Sequence, residues 1–460
     1  MLFSAPEFIF AFLPVTLIVY FLLSSSQKVE ASRLWLLVAS LFFYGWWNPA
    51  NLILIGLSMI FNFTFGNLII RYRKKWLLTV GVSANLAVLF YYKYANFFLT
   101  NFNGLFEGHY ALLNVVLPLG VSFFTFTQIA YLVDSSQGKV GNYKFSHYCL
   151  FVTFFPHLIA GPIVHHTQLM PQFADQKNAF LNFPNLARGF FIFNLGLAKK
   201  IIIADTLSTI VAKGYGDTAA LTAVQAWVTS LAYSTQLYFD FSGYSDMAIG
   251  LGLLFNIDFP LNFNSPYKSK NIQEFWRRWH ITLSQFLRDY IYIPLGGNRK
   301  GEWGTASNLM ITFILGGIWH GAGWTFIFWG FLHGAALVIH RQFTRLNLRM
   351  ADWLGVALTF LYVNVTWVFF RAPSWHSAID LLRAMVGKGV QTSDVSLVSD
   401  YYMAPIWIAA AILLFTKNTN ELGVEFKPDY RRLATLIMVV MLNLLFLNSA
   451  TNQEFLYFDF

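Results

Sequence analysis

Two histidines stand where an ionisable side chain is costly to keep. His320 lies in Leu315-Gly-Gly-Ile-Trp-His-Gly-Ala-Gly323, inside a run that otherwise reads as a spanning helix. An imidazole at such a depth marks a functional path by default, because hydrocarbon offers it no solvation. His280 closes Trp276-Arg-Arg-Trp-His280 on the apolar face of an amphipathic segment. One histidine there would ordinarily be a satisfied core residue; a second one changes the reading. Imidazole titrates near ~6.5 and can take a proton from a hydroxyl, or return it, at neutral pH. The same segment carries Arg277, Arg278 and Arg288. Guanidinium binds phosphate with two parallel hydrogen bonds, which suits a phosphate-bearing donor such as a coenzyme A thioester. Their plainer role is to reach out to lipid phosphates.

Other candidate groups are less pointed. His333 and His340 share one helical face, and His157, His165 and His166 sit in or beside Phe154-Phe-Pro-His-Leu-Ile-Ala-Gly-Pro162. No spacing of the HExxH type occurs, so no metal site is expected. Cys149 is the single cysteine, which excludes an intramolecular disulfide and a thiolate cluster. Glycines 316, 317, 321 and 323 allow a bend and a narrow channel beside His320, or else close helix packing.

The elements that must position these groups are membrane elements. Of 460 residues, 56% are hydrophobic, 19% aromatic and only 12% charged, about half the charged share of soluble domains. The formal charge of +9 is scattered over short segments between apolar runs, which argues for cytoplasmic loops and against a nucleic-acid surface. Apolar runs long enough to cross about 30 Å of hydrocarbon fall near 7–23, 33–47, 50–70, 76–92, 111–133, 186–212, 222–239, 305–319, 322–340, 353–371, 402–416 and 432–449, some of them short. The expectation is an all-α, polytopic membrane protein with about eleven spans, forming one domain over residues 1–460. Stretches 148–170 and 240–260 are interrupted by Pro and Gly and read as re-entrant or broken helices. Residues 1–23 have an acidic Glu7 in place of a basic start and read as the first span, not a signal peptide. Basic residues at 28, 33, 71 and 73–75, and those between 262 and 304, place these loops in the cytoplasm and the N-terminus outside.

Residues 270–297 are helical in pattern but too polar to span. Asn271 and Glu274 resemble a capping box, and Pro294 with Gly296-Gly297 supplies the stop. A wheel places Trp276, Trp279, His280, Leu283, Phe286, Leu287 and Tyr290 on one face of an interfacial helix.

Taken together, Trp276-Arg-Arg-Trp-His280, Leu287-Arg-Asp-Tyr-Ile-Tyr292 and Gly-Gly-Ile-Trp-His320-Gly resemble the membrane-bound O-acyltransferases. Pro118-Leu-Gly-Val-Ser-Phe-Phe, Phe155-Pro-His-Leu-Ile-Ala-Gly-Pro162 and Leu237-Tyr-Phe-Asp-Phe-Ser-Gly-Tyr-Ser-Asp-Met-Ala-Ile-Gly250 are similar to the AlgI-like branch of that family. The likeness runs from the first residues through Arg341 and again, loosely, over Phe455-Leu-Tyr-Phe-Asp-Phe460. Between 342 and 450 only hydropathy supports it.

The resemblance implies a ring of helices around a pore, with His320 as catalytic base and His280 as the second functional residue. It implies an acyl thioester donor in the cytoplasm, acetyl-coenzyme A being the simplest, with Arg277, Arg278, Arg288, Trp276 and Trp319 as candidate donor contacts and no bound cofactor or metal. The acceptor would be a polysaccharide of alginate, cellulose or peptidoglycan type, reached directly or through a periplasmic acetyltransferase partner, from a bacterial inner (cytoplasmic) membrane. Three alternatives stay open: D-alanyl transfer to teichoic acid by a DltB-like relative, or lipid acyl transfer; a transporter without covalent chemistry; and a purely structural scaffold for an envelope complex.

Overall fold

The computed structural model describes residues 1–391, 400–447 and 455–456, and among these every regular element is a helix. Phe8–Ser25, Asn51–Tyr72, Asp352–Arg371 and Tyr430–Leu447 are long and apolar enough to cross a membrane, with mean hydropathies between 1.6 and 2.2. They coincide with four of the expected spans. Residues 448–449 of the last one, and Tyr457 to Phe460 of the C-terminal motif, lie outside the described residues.

The chain gathers into two compact units, residues 1–194 with 244–260 and residues 195–243 with 261–460. In the first, the opening residues pack ring on ring: Phe3, Phe8, Phe12, Phe43 and Phe155 lie with centroids 5.0–6.5 Å apart. Two pairs of buried polar groups there answer one another, which matters where no water reaches. The Asn62 and Asn85 amides exchange hydrogen bonds of 3.1 and 2.7 Å, and the His166 ring meets the Asp134 carboxylate at 3.1 Å. The stretch around 148–170 is broken as its Pro and Gly content requires, into Phe145–Thr153, Phe155–Leu158 and His166–Ala174.

The expectation for 240–260 needs correction. Ala223–Leu254 is one continuous helix, and its glycines serve packing instead of bending. A side chain at Gly250 would strike the backbone of Gly189 and Phe193, and one at Gly243 the backbone of Gly196.

The second unit is built on a hairpin of Gly301–His320 and Trp324–Arg345. The two helices approach closely because Gly317 faces the Phe326 carbonyl while Gly330 faces the Phe313 carbonyl and Ile314 Cα. Gly330→Val drives a branched side chain into backbone that cannot yield. Thermal unfolding in detergent is expected to show a loss of about 1–3 kcal/mol, the usual scale for overpacking; an unchanged midpoint contradicts this packing. Asp352–Arg371 lies along the hairpin, tied to it by the Tyr362 hydroxyl, which donates to Leu332 O at 2.7 Å.

Candidate active site

His320 is the last residue of its helix and is buried. Gly321 and Gly323 adopt extended backbone, which stops the helix and turns the chain into Trp324–Arg345. The imidazole is walled by aromatic rings, with Trp319, Trp329 and Phe370 at centroid distances of 4.9, 5.1 and 5.1 Å, all edge-on. Gly321 and Gly323 face the Phe326 ring, so the glycines around the histidine build the hairpin corner.

His280 has a different origin. The expected single helix is two, Ile272–Arg278 and Ile281–Leu287, and His280 occupies the break with φ 40° and ψ 55°. Left-handed backbone is uncommon for a residue with a side chain, and here a neighbouring strand of chain enforces it. Asn264 N–H donates to Arg278 O and Ile281 N–H to Asn262 O, both at 2.9 Å, so residues 262–264 clamp both sides of the break.

The side chain of Asn262 finishes the work. Its Oδ1 accepts from the Thr282 hydroxyl at 2.9 Å and from the Thr282 N–H at 3.3 Å, and lies 3.0 Å from His280 Nδ1. An oxygen that already accepts the Thr282 backbone N–H must be the carbonyl end of the amide, so Nδ1 carries the hydrogen and donates. Nε2 of the neutral ring then presents a lone pair. That geometry lets His280 accept a hydrogen bond or a proton; it gives the ring no second N–H with which to polarise a carbonyl.

Burial keeps the ring neutral by pushing its pKa from 6.5 down to about 3. The proton is therefore taken up by the unfolded chain first. Stability is unaffected above pH 6.5 and falls as pH drops from 6.5 toward 3. His280→Gln removes this share of the acid limb, so unfolding midpoints between pH 7 and 4 should fall less steeply than in wild type; parallel curves count against a buried neutral His280.

Trp319 brings the histidines together. Its ring lies 6.3 Å from His280 and 4.9 Å from His320, so one indole is flanked by both imidazoles. A third histidine completes the aromatic wall. His333 Nδ1 accepts from Trp276 Nε1 at 3.2 Å, and its Nε2 lies 3.0 Å from the Thr366 hydroxyl, which itself donates to Val363 O. Trp276 is thereby committed to His333, leaving its indole N–H no hydrogen bond for a donor. His333 orients the wall through Trp329, 4.7 Å away.

The arginines separate. Arg278 pairs with Glu274 at 2.8 Å, and Arg288 pairs with Asp289 through two contacts of 2.7 and 3.1 Å. Both charges are offset within the chain. Arg277 is exposed and has no ion pair among the described residues. The expected capping box is half formed: Asn271 Oδ1 accepts from Glu274 N–H at 2.8 Å, while the Glu274 carboxylate reaches Lys270 N–H.

Sequence reasoning passed over a buried ionic triad. Lys200 Nζ sits 2.8 Å from Asp205 Oδ1 and 2.7 Å from Asp240 Oδ1, and the other Asp240 oxygen accepts from Leu456 N–H at 3.1 Å. The next residue, Phe241, sets its ring edge-on to His280 at 4.7 Å and carries Phe455 at 5.8 Å. The available signal was a lysine and two aspartates inside apolar runs; nothing in their spacing joined them.

Comparison with known proteins agrees with the motifs. Residues 39–372 match the model of the MBOAT, membrane-bound O-acyltransferase family. The chain is 43% identical to the peptidoglycan O-acetyltransferase of Helicobacter pylori over 100% of its length and 98% of that protein. It is 38% identical to the probable alginate O-acetylase AlgI of Pseudomonas putida, with both chains covered completely. Likeness to the teichoic acid D-alanyltransferase of Bacillus subtilis is 27% over 59% of this chain and 72% of that one.

Proposed function

Because the chain belongs to the membrane-bound O-acyltransferase family, we propose that it takes an acetyl group from a cytoplasmic acyl thioester and passes it across the inner membrane to an envelope polysaccharide. Acetyl-coenzyme A is the simplest donor, and the acceptor is of peptidoglycan or alginate type. The observation that carries this reading is the pair of buried histidines that both pack on Trp319.

In this scheme an acceptor hydroxyl attacks the thioester carbonyl while His320 takes its proton. The tetrahedral intermediate then expels the thiolate, which recovers that proton, leaving an ester and a free thiol. His280, with its lone pair on Nε2, orients the attacking hydroxyl or the donor. Arg277 is the arginine of the amphipathic segment best placed to meet donor phosphate, since Arg278 and Arg288 are already neutralised. The hydroxyl belongs either to the glycan or to a serine of a periplasmic partner; both need the same base. About eleven spans around a pore, the four long apolar helices among them, give the route across the bilayer.

The test is thioester consumption by purified full-length protein. Release of free thiol from acetyl-coenzyme A, stimulated by a hydroxyl acceptor, supports the enzyme. Solute flux in vesicles with no thiol release would move the transporter reading to the front. D-alanyl transfer is separated by offering both acyl groups, with acetyl expected to be preferred in line with the full-length likeness to O-acetyltransferases.

A further inference from the structure

Arg371 ends the Asp352–Arg371 helix directly after Phe370, the ring that packs on His320 at 5.1 Å. Its guanidinium carbon lies 5.3 Å from the centre of the Tyr215 ring. Tyr233 stands edge-on to Tyr215 at 5.8 Å and within electrostatic reach of the same guanidinium. Arg371 is half-buried and both tyrosines are buried.

Three hydrogen-bond donors in this cluster, Arg371 Nε and the Tyr215 and Tyr233 hydroxyls, are buried without a partner among the described residues, and Arg371 has no ion pair there. A cation near a helix C-terminus gains from the helix dipole, but that leaves Nε and two phenols unanswered. Each unmade buried bond costs roughly 1–3 kcal/mol. Water would satisfy the hydroxyls without balancing the charge. A carboxylate does both, because its two oxygens accept from a guanidinium edge and a phenol together.

We propose that Arg371, Tyr215 and Tyr233 form a carboxylate-binding site one residue from the wall of His320. The inference rests on the acyl-transfer reading for its two sources of carboxylate: an acidic sugar of the acceptor, or acetate released when water intercepts the acyl group. The site then holds an acidic acceptor beside the base, or retains product there.

The experiment uses full-length protein, acetyl-coenzyme A and two short acceptor saccharides that differ only in a carboxylate or its methyl ester. Wild type is expected to prefer the carboxylate through KM. In Arg371→Gln and in Tyr233→Phe that preference should collapse by roughly ten- to hundredfold, the worth of one charge-assisted hydrogen bond; Arg371→Lys, which keeps the charge, should retain part of it. A second arm adds free acetate with the ester acceptor. Inhibition in wild type that is relieved in Arg371→Gln assigns the site to product, whereas collapse of acceptor preference assigns it to the acidic sugar. If neither measurement separates wild type from the variants, the site is overturned while acyl transfer stands. If wild type releases no thiol with either acceptor, the acyl-transfer reading falls and takes this inference with it. Tyr233→Phe preserves the ring and carries the test where Arg371→Gln does not fold.

Discussion

In a deletion strain complemented with His320→Ala, surface-polysaccharide acetate is expected to stay at the level of the deletion, while wild type restores it. General-base catalysis contributes about 10² to 10⁴-fold, and the proposed scheme gives that role to His320. His280 lies across Trp319 with its Nδ1 hydrogen tied to Asn262. Removing an imidazole walled by Trp319, Trp329 and Phe370 also opens a cavity, so membrane levels must be checked by immunoblot. His320→Gln, closer in volume, keeps the wall filled and should be as inactive. Full acetate with either variant at normal abundance would remove His320 from the chemistry and leave a scaffold role.

The largest effect on stability is expected from Lys200→Met. One lysine holds two buried aspartates at 2.8 and 2.7 Å, so the triad already carries one uncompensated negative charge. Without the lysine, two carboxylates are left facing each other in a low-dielectric interior. Breaking a buried pair from one side costs about 3–5 kcal/mol. Asp205→Asn does the reverse, leaving Lys200 and Asp240 as a balanced pair, and its cost should be well below that of Lys200→Met. Thermal unfolding of the two variants in the same detergent decides it. Equal losses would mean that the triad acts through packing alone. Because Asp240 also receives Leu456 N–H and precedes the ring against His280, Lys200→Met should depress activity in the fraction that remains folded.

Hydropathy and local signals made much of the architecture legible. Runs of apolar residues gave the four long spans, and Pro156, Gly161 and Pro162 announced the broken helices around them. The burial of His280 and His320 followed from their apolar surroundings. What stayed hidden was set by partners distant in sequence. The 3.6-residue pattern runs unbroken through Trp279 and His280, so the wheel gave one helix; the break is imposed by Asn262 and Asn264, which carry no periodic signal of their own. Gly243 and Gly250 looked like bends because a glycine that admits a neighbouring backbone and one that breaks a helix are the same letter. Arg278 and Arg288 read as free cations until Glu274 and Asp289 were seen to hold them. The triad needed Lys200 and Asp240 to meet across forty residues.

The clamp around His280 also bears on the order of assembly. The hydrogen bonds that hold the break run from Asn262 and Asn264 to Arg278, His280, Ile281 and Thr282, so closing this short loop costs little chain entropy. Chains are made from the N-terminus, and local units form as they emerge. The loop is complete before the helix bearing His320 has been synthesised. One half of the site is thus templated on the growing chain, and the later hairpin brings Trp319, with His320 beside it, against an imidazole whose orientation is already decided.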